Sequence, residues 1–148
     1  MKKLIVLFSL MFVFAACETY SEQDKIGFDK EIKAYLKKEH LDLVKTSSGL
    51  YSKKIKKGEG NYVQYTDSVS ITYYGKLLNG KTFDYQVKPQ TFAIRDLIAG
   101  WKEVLLSSKK GDEITMIIPP QLGYGSNKLD DIPVNSILYF EMKIVDVK

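Results

Sequence analysis

The residues best suited to binding chemistry lie in one short stretch, residues 71–85, which reads I-T-Y-Y-G-K-L-L-N-G-K-T-F-D-Y. The Asn-Gly pair at positions 79–80 predicts a two-residue hairpin loop of type I′, because both loop positions of that turn require positive φ. Such a loop would return Phe83 and Asp84 to the side of Tyr73. The stretch contains no histidine or cysteine, so its aromatic rings and carboxylate favour binding of an apolar group over ordinary hydrolysis. The alternative is a hairpin whose aromatic side chains only build core.

The chain begins with the pattern of a bacterial export signal. Lys2 and Lys3 precede an apolar stretch at 4–14, which is followed by small residues and Cys17. The apolar stretch is too short to span a bilayer as a helix, so residues 1–16 are predicted to be a cleaved lipoprotein signal peptide. The small residues before the cysteine resemble a lipobox, in which Cys17 is lipidated. The alternative is an ordinary signal peptide beside an incidental cysteine.

Charge and cysteine content narrow the function classes. Removing Lys2 and Lys3 with the signal lowers 22 basic residues to 20, against 18 acidic ones, and leaves a net charge of only +2. This balance does not support nucleic acid as a partner. With one cysteine in the chain, an intramolecular disulfide is impossible, so an exported domain must be held by its core. We expect a lipid-anchored protein of the cell envelope.

Residues 17–47 are predicted to hold the lipidated cysteine, a tether and a helix. Residues 18–24 are polar and without periodicity, which predicts disorder. Apolar side chains then recur at helical spacing up to about His40, and they predict an amphipathic helix of about four turns. The helix could pack on the following domain or project as a stalk. The members of its apolar face are Phe28, Ile32, Tyr35 and Leu36.

Residues 48–148 are predicted to form one domain built mainly of strands. Apolar and polar residues alternate at 69–73, 112–118 and 138–144, as expected for half-buried strands. Between the segments at 69–73 and 112–118, one helix is predicted to begin near Asp96 as its N-cap residue and to carry Trp101 on its apolar side. A curved antiparallel sheet, or half-barrel, wrapped on one short helix is an α+β architecture.

Five separated motifs occur in one order along this region. They read S-G-L-Y-S-K-K-I-K-K-G-E-G (48–60), I-T-Y-Y-G-K-L-L-N-G-K-T-F-D (71–84), I-A-G-W-K-E-V-L (98–105), G-D-E-I-T-M-I-I-P-P-Q-L-G-Y-G (111–125) and I-P-V-N-S-I-L-Y-F-E-M-K-I-V-D-V (132–147). Together they resemble the FKBP-type peptidyl-prolyl cis/trans isomerases. The resemblance covers Ser48–Val147 and implies an FKBP-like fold.

The resemblance also implies a site. Trp101 would be the floor under a substrate proline, and the Ile98 N–H and the Tyr124 hydroxyl would bind substrate carbonyls. Leu129 would partly replace a residue that relatives place over the proline. The residues expected to take part in catalysis are Tyr73, Asp84, Ile98, Trp101 and Tyr124, and those expected to bind substrate are Phe83, Phe92, Leu97, Leu129 and Phe140. No cofactor or metal is implied.

The function expected from the resemblance is isomerisation of X-Pro peptide bonds during folding of exported proteins. Its partners would be proline-containing polypeptides and, through the lipid anchor, a membrane. Two alternatives remain open. One is a weakly active or inactive chaperone that binds proline-containing peptides. The other is a structural lipoprotein in an envelope complex, as in the gliding-motility-associated branch of the family.

Overall fold

A computed structural model describes residues 20–148, so the predicted signal peptide and Cys17 lie outside the described residues. Two helices and six strands account for most of the described chain. The elements are α1 (Glu22–Lys38), β1 (Val44–Lys45), β2 (Tyr51–Lys56), β3 (Ser68–Leu77), β4 (Thr82–Ala93), α2 (Ala99–Leu106), β5 (Glu113–Ile118) and β6 (Leu138–Val147), with 3-10 turns at Ile94–Asp96 and Pro120–Leu122. Within this part of the chain, no helix combines the length and the apolar character needed to cross a membrane.

The strands form one antiparallel sheet in the order β1-β2-β5-β6-β3-β4. The alternating patterns at 69–73, 112–118 and 138–144 correspond to β3, β5 and β6, as predicted. Because successive side chains of a strand point to opposite faces, β5 and β6 supply two separate cores. Met116 and Phe140 enter the core on the α2 side, whereas Ile117 and Tyr139 enter the core on the α1 side.

Each face of the sheet is covered by one helix. On one face, Trp101 and Leu105 of α2 join the larger core. On the other, Ile32 and Tyr35 of α1 are buried against Ile117 of β5 and its neighbours. The expected α+β class is therefore confirmed, including the helix that precedes the sheet, and α1 packs on the sheet as one of the two arrangements left open by its sequence. The predicted boundary at residue 47 stays a prediction.

A half-buried carboxylate fastens α1 to the sheet. Asp29 accepts hydrogen bonds from the Tyr51 hydroxyl at 2.7 Å and from the ammonium groups of Lys45 at 2.6 Å and Lys33 at 2.7 Å. Burial by itself would raise the pKa of Asp29, but these three donors outweigh it and hold the pKa well below its ordinary value. The carboxylate therefore stays charged and links the helix to β1 and β2 at neutral pH.

Two predicted element starts are wrong. Helix α1 begins at Glu22 rather than after a disordered tether ending at residue 24, because Ser21 and Asp24 form a capping box that uses these polar side chains. Helix α2 begins after Ile98, not at Asp96. Asp96 ends a 3-10 turn, and extended backbone at the following residue (φ −83°, ψ 161°) separates that turn from the helix.

The hairpin between β3 and β4 also differs from the prediction. Leu77 pairs with Lys81 through its N–H at 2.9 Å, so the loop has three residues rather than two. Among the loop residues, Gly80 has positive φ (92°) and Asn79 does not, which excludes a type I′ turn and matches the common three-residue loop with glycine in the left-handed position. The strand register then shifts, since Gly75 faces Asp84 while the next residue faces Thr82.

Candidate functional site

A cavity of about 280 Å³ opens between the sheet and the start of α2. Nine of the ten residues expected to form the site line this cavity, and Asp96 lines it as well. They lie in β3, β4, α2 and β6, in the segment that leads into α2, and just after the 3-10 turn at Pro120–Leu122. The lining residues are Tyr73, Phe83, Asp84, Phe92, Asp96, Leu97, Ile98, Trp101, Tyr124 and Phe140.

Trp101 forms the floor of the cavity, and its side chain is only 6% exposed. Its ring meets those of Tyr73 and Phe140 edge to face, with centroids 5.0 and 5.1 Å away, and that of Phe92 at 6.3 Å. Such geometry places positive ring edges against negative ring faces and adds to the stabilisation from burial. The indole Nε1 is buried without a hydrogen-bond partner among the described residues.

The absence of a side chain at Gly75 explains how closely the rings of Phe83 and Phe140 pack. A Cβ at this position would lie 2.7 Å from Phe140 Cε1 and 2.9 Å from two ring atoms of Phe83. The missing side chain allows these rings to pack edge to face with centroids 5.4 Å apart. The shifted register of the hairpin leaves Phe83 beside this glycine, and the aromatic wall depends on both features.

A carboxylate marks the polar edge of the cavity. The Tyr73 hydroxyl donates a hydrogen bond of 2.6 Å to Asp84 Oδ2 across the β3–β4 pair. Burial, and then the hydrogen bond and negative charge of Asp84, raise the pKa of Tyr73 well above its ordinary value. The Tyr73 hydroxyl is therefore neutral and already engaged, and its role in the geometry is to hold Asp84 in place.

Two other hydrogen-bond donors border the cavity and have no acceptor among residues 20–148. Ile98 is the N-cap residue of α2 with extended backbone (φ −63°, ψ 153°), and no hydrogen bond among residues 20–148 uses its N–H. Helix N-termini leave such amide groups unsatisfied, so a carbonyl oxygen can accept from them. Burial and then the charge of Asp84 raise the pKa of Tyr124, whose hydroxyl therefore remains a neutral donor.

The arrangement suits non-covalent binding. An aromatic floor and walls receive an apolar ring, while Ile98 N–H and Tyr124 hydroxyl receive carbonyl oxygens at its edge. In the part of the chain that the structure describes, His, Cys, Asp and Glu side chains form no group of three or more that could hold a metal ion.

Two residues differ from the expected set. Leu129 does not line the cavity; it is 41% exposed and lies in a turn closed by backbone hydrogen bonds with Ile132 of 3.1 and 3.3 Å. Asp96 does line the cavity, although its sequence context suggested only a helix cap. The sequence offered one signal for this position. Asp96 is two residues before Ile98, and the 3-10 turn that Asp96 ends places Ile98 at the site.

Comparison with known proteins identifies the family. A family model described as FKBP-type peptidyl-prolyl cis-trans isomerase matches residues 59–145. The FKBP-type peptidyl-prolyl cis-trans isomerase FkpA of Buchnera aphidicola subsp. Schizaphis graminum is 44% identical over an alignment of 137 residues, which covers 84% of this chain and 54% of that protein. FkpA of Escherichia coli K12 is 40% identical over an alignment of 109 residues, which covers 71% of this chain and 40% of that protein.

Solved structures agree with this result. The crystal structure of FkpA from Escherichia coli superposes with a TM-score of 0.74 at 34% identity, covering 86% of this chain and 62% of that one. A peptidyl-prolyl cis-trans isomerase from Pseudomonas syringae shares the fold, with a TM-score of 0.71 at 24% identity, covering 88% of this chain and 98% of that one. The chain spans about half the length of the curated relatives it matches. The chain belongs to the family of FKBP-type peptidyl-prolyl cis-trans isomerases.

Proposed function

We propose that this protein catalyses cis/trans isomerisation of X-Pro peptide bonds. The observation that carries the proposal is the aromatic cavity over Trp101, bordered by the unengaged donors of Ile98 and Tyr124. Membership in the isomerase family supports it further.

The reaction requires only a lower barrier. An X-Pro bond prefers trans by about 0.5–1 kcal/mol, but exchange takes about 10–100 s because twisting the bond removes amide resonance. Since each tenfold in rate corresponds to about 1.36 kcal/mol, a thousandfold acceleration needs about 4 kcal/mol. Non-covalent contacts that are stronger in the twisted state than in the planar states can supply a change of this size.

The cavity provides two such effects. The proline ring rests on Trp101 with its sides against Phe83 and Phe140, which removes water from the prolyl amide. The planar amide has a larger dipole than the twisted one, so an apolar site destabilises the planar forms relative to the transition state. With a volume of about 280 Å³, the cavity is large enough for one proline ring and adjoining backbone.

The polar edge holds the flanking groups. Ile98 N–H and the Tyr124 hydroxyl donate to substrate carbonyls on either side of the reacting bond, so rotation occurs against fixed neighbours. Asp84, held by the Tyr73 hydroxyl at 2.6 Å, places a carboxylate next to the prolyl carbonyl as it turns. The aromatic residues at 83, 92 and 140, with Leu97, complete the apolar walls.

The test is cis/trans exchange of a short Leu-Pro peptide, measured by NMR with residues 18–148, which contain every described element. The wild type is expected to accelerate exchange, and a Trp101→Ala, Tyr124→Phe double variant to lose most of the acceleration. A Tyr85→Phe variant is the matched control, because that exposed tyrosine lies outside the cavity. No acceleration by micromolar wild-type protein would sink the proposal.

We also propose that the protein works in the cell envelope on exported polypeptides, anchored by lipid on Cys17. The export-signal pattern of residues 1–16 and the position of the cysteine directly after it support this setting. Growth with a labelled fatty acid tests it: the wild type should carry label and sediment with membranes, and Cys17→Ser should do neither. An unlabelled wild type would indicate an ordinary signal peptide.

A further inference from the structure

We propose that Tyr20, which precedes α1, is a positioning residue that holds Tyr124 at the edge of the cavity. The Tyr20 hydroxyl donates a hydrogen bond of 2.6 Å to Asn135 Oδ1, across 115 positions of the chain. Tyr20 lies outside residues 59–145, which the family model matches. The inference rests on the proposed isomerase function.

The segment that carries Tyr124 needs such a contact. It runs from the 3-10 turn at Pro120–Leu122 to the start of β6 at Leu138, and Tyr124 lies between Gly123 and Gly125. Glycine restricts the backbone least of all residues, so the orientation of the Tyr124 ring depends on the hydrogen bonds and contacts of this segment rather than on the flanking residues themselves. Residues 126–131 are exposed, and Ile132 returns to the core only beyond them.

A continuous series of hydrogen bonds joins Tyr20 to the backbone beside Tyr124. The Asn135 N–H donates to the Gly125 carbonyl at 2.8 Å, and the Gly125 N–H donates to the Pro120 carbonyl at 3.0 Å. Asn135 has positive φ (58°), a conformation that asparagine adopts more readily than most residues. Tyr20 therefore holds the side chain of a residue whose backbone holds Gly125.

The tyrosine also lies next to this turn, with its ring on the side of Gly125 where a side chain would project. Its hydroxyl oxygen would be 3.7 Å, and its Cε2 atom 4.0 Å, from a Cβ built on Gly125, which is ordinary van der Waals distance. A turn displaced toward α1 would meet the Tyr20 ring, and a turn displaced away from it would break the bond to Asn135. The contact thus limits movement of the Tyr124 backbone in both directions.

Tyr20 is itself well held. It directly precedes Ser21, the N-cap residue whose capping box with Asp24 sets the path of the chain into α1. Its ring packs edge to face on Phe28 of the same helix, with centroids 5.3 Å apart. Because Ile32 is completely buried against the sheet, α1 is a firm support. Helix α1 covers one face of the sheet and, through Tyr20, contributes to the geometry of a site on the other face.

The test uses Tyr20→Phe, which keeps the ring and removes the hydroxyl, with exposed Tyr65→Phe as matched control. We expect kcat/KM for a Leu-Pro peptide to fall about fivefold in Tyr20→Phe, corresponding to one hydrogen bond of about 1 kcal/mol. Asn135→Gly, which keeps positive φ and removes the acceptor, should give a similar loss. The two changes together should lose no more than either alone.

A Tyr124→Phe background distinguishes a positioning role of Tyr20 from a merely structural one. If Tyr20 acts through Tyr124, removing its hydroxyl there should lower kcat/KM no further, whereas general destabilisation would lower it again. A readout that needs no activity is hydrogen exchange at the Gly125 and Asn135 amides, which should be faster in Tyr20→Phe and unchanged in Tyr65→Phe.

Wild-type kcat/KM in Tyr20→Phe, or unchanged exchange at both amides, would overturn the inference. An inactive wild type would instead refute the proposed function, and the exchange measurement would still decide whether Tyr20 holds the turn.

Discussion

Replacing Gly75 with alanine tests whether the aromatic wall is as tightly packed as the structure indicates. The added methyl group would lie 2.7 Å from Phe140 and 2.9 Å from Phe83, whereas carbon atoms pack at about 3.5–4.0 Å. Both rings must therefore shift relative to the new methyl group, by about 0.6–1.3 Å. Phe140 is 2% exposed and packed against Trp101, so most of the movement is expected at Phe83, which is half-buried beside the cavity.

The magnitude follows from two opposing terms. Overpacking a well-filled site costs about 1–3 kcal/mol, and the lower entropy of an unfolded chain with alanine in place of glycine offsets about 0.4–1 kcal/mol of that. The net loss of about 1–2 kcal/mol corresponds to a fall in Tm of about 3–8 °C. Activity should also fall, by about tenfold or about 1.36 kcal/mol, because a displaced Phe83 occupies space meant for the proline.

Urea unfolding and peptide exchange by NMR measure the two effects. Gly27→Ala is the matched control, since no atom lies within 4 Å of a Cβ at that position in α1 and the helix gains about 0.5–1 kcal/mol from the change. A Gly75→Ala protein with wild-type stability and wild-type exchange rate would refute the reasoning, because it would show that the rings yield without cost.

Three further predictions concern the sheet and the site. Asp112→Ala should lower the free energy of unfolding by about 3 kcal/mol at pH 7, because this 1%-exposed carboxylate accepts from two backbone N–H groups and Lys54. Burial alone would raise its pKa, but those donors hold the pKa below the ordinary value, so its contribution is present above about pH 4 and is lost as pH falls through the folded-state pKa. Urea titrations at pH 7 and at acid pH measure the change. Ile32→Ala should cost about 2–5 kcal/mol, since the side chain is 0% exposed between α1 and the sheet, with isomerisation largely retained in the folded fraction. The rate of peptide exchange should be flat from about pH 6 to about pH 9, because burial and the charge of Asp84 raise the pKa of the Tyr124 hydroxyl above its ordinary value of about 10.

Each of these has an outcome that contradicts it. An Asp112→Ala deficit that stays constant down to acid pH would show that the carboxylate is not the source of the stability. A small effect of Ile32→Ala, below about 1 kcal/mol, would mean that α1 contributes little to the fold. A rate that declines between pH 7 and pH 9 would place a different titrating group in the site.

Much of the sheet was predictable because its signals are local. Strands β3, β5 and β6 alternate apolar and polar residues, and that alternation follows from the geometry of an extended chain with one face toward a core. The aromatic residues at 73, 83 and 101 were predictable as one site only through motifs spread over the chain. Their spacing alone was equally consistent with ordinary core, since an aromatic side chain is apolar in either role.

The hairpin loop was predicted wrongly because residue types alone do not decide its length. The loop after β3 has three residues because Leu77 pairs with Lys81, and the strand register rather than the Asn-Gly pair decides that pairing. Leu129 is not among the residues that line the cavity, and its backbone forms a turn with Ile132.

The sequence by itself determined the export-signal pattern, the small net charge, the alternating strands and the motifs of an isomerase family. These are properties of composition and of neighbours along the chain, and they do not depend on packing. Tertiary structure alone decided that α1 covers the face of the sheet opposite α2 and that Gly75 makes room for Phe83. It also decided that Tyr20 meets Asn135 across 115 positions. Such contacts depend on strand register and close packing, which place residues together in space without leaving a periodic signal in the chain.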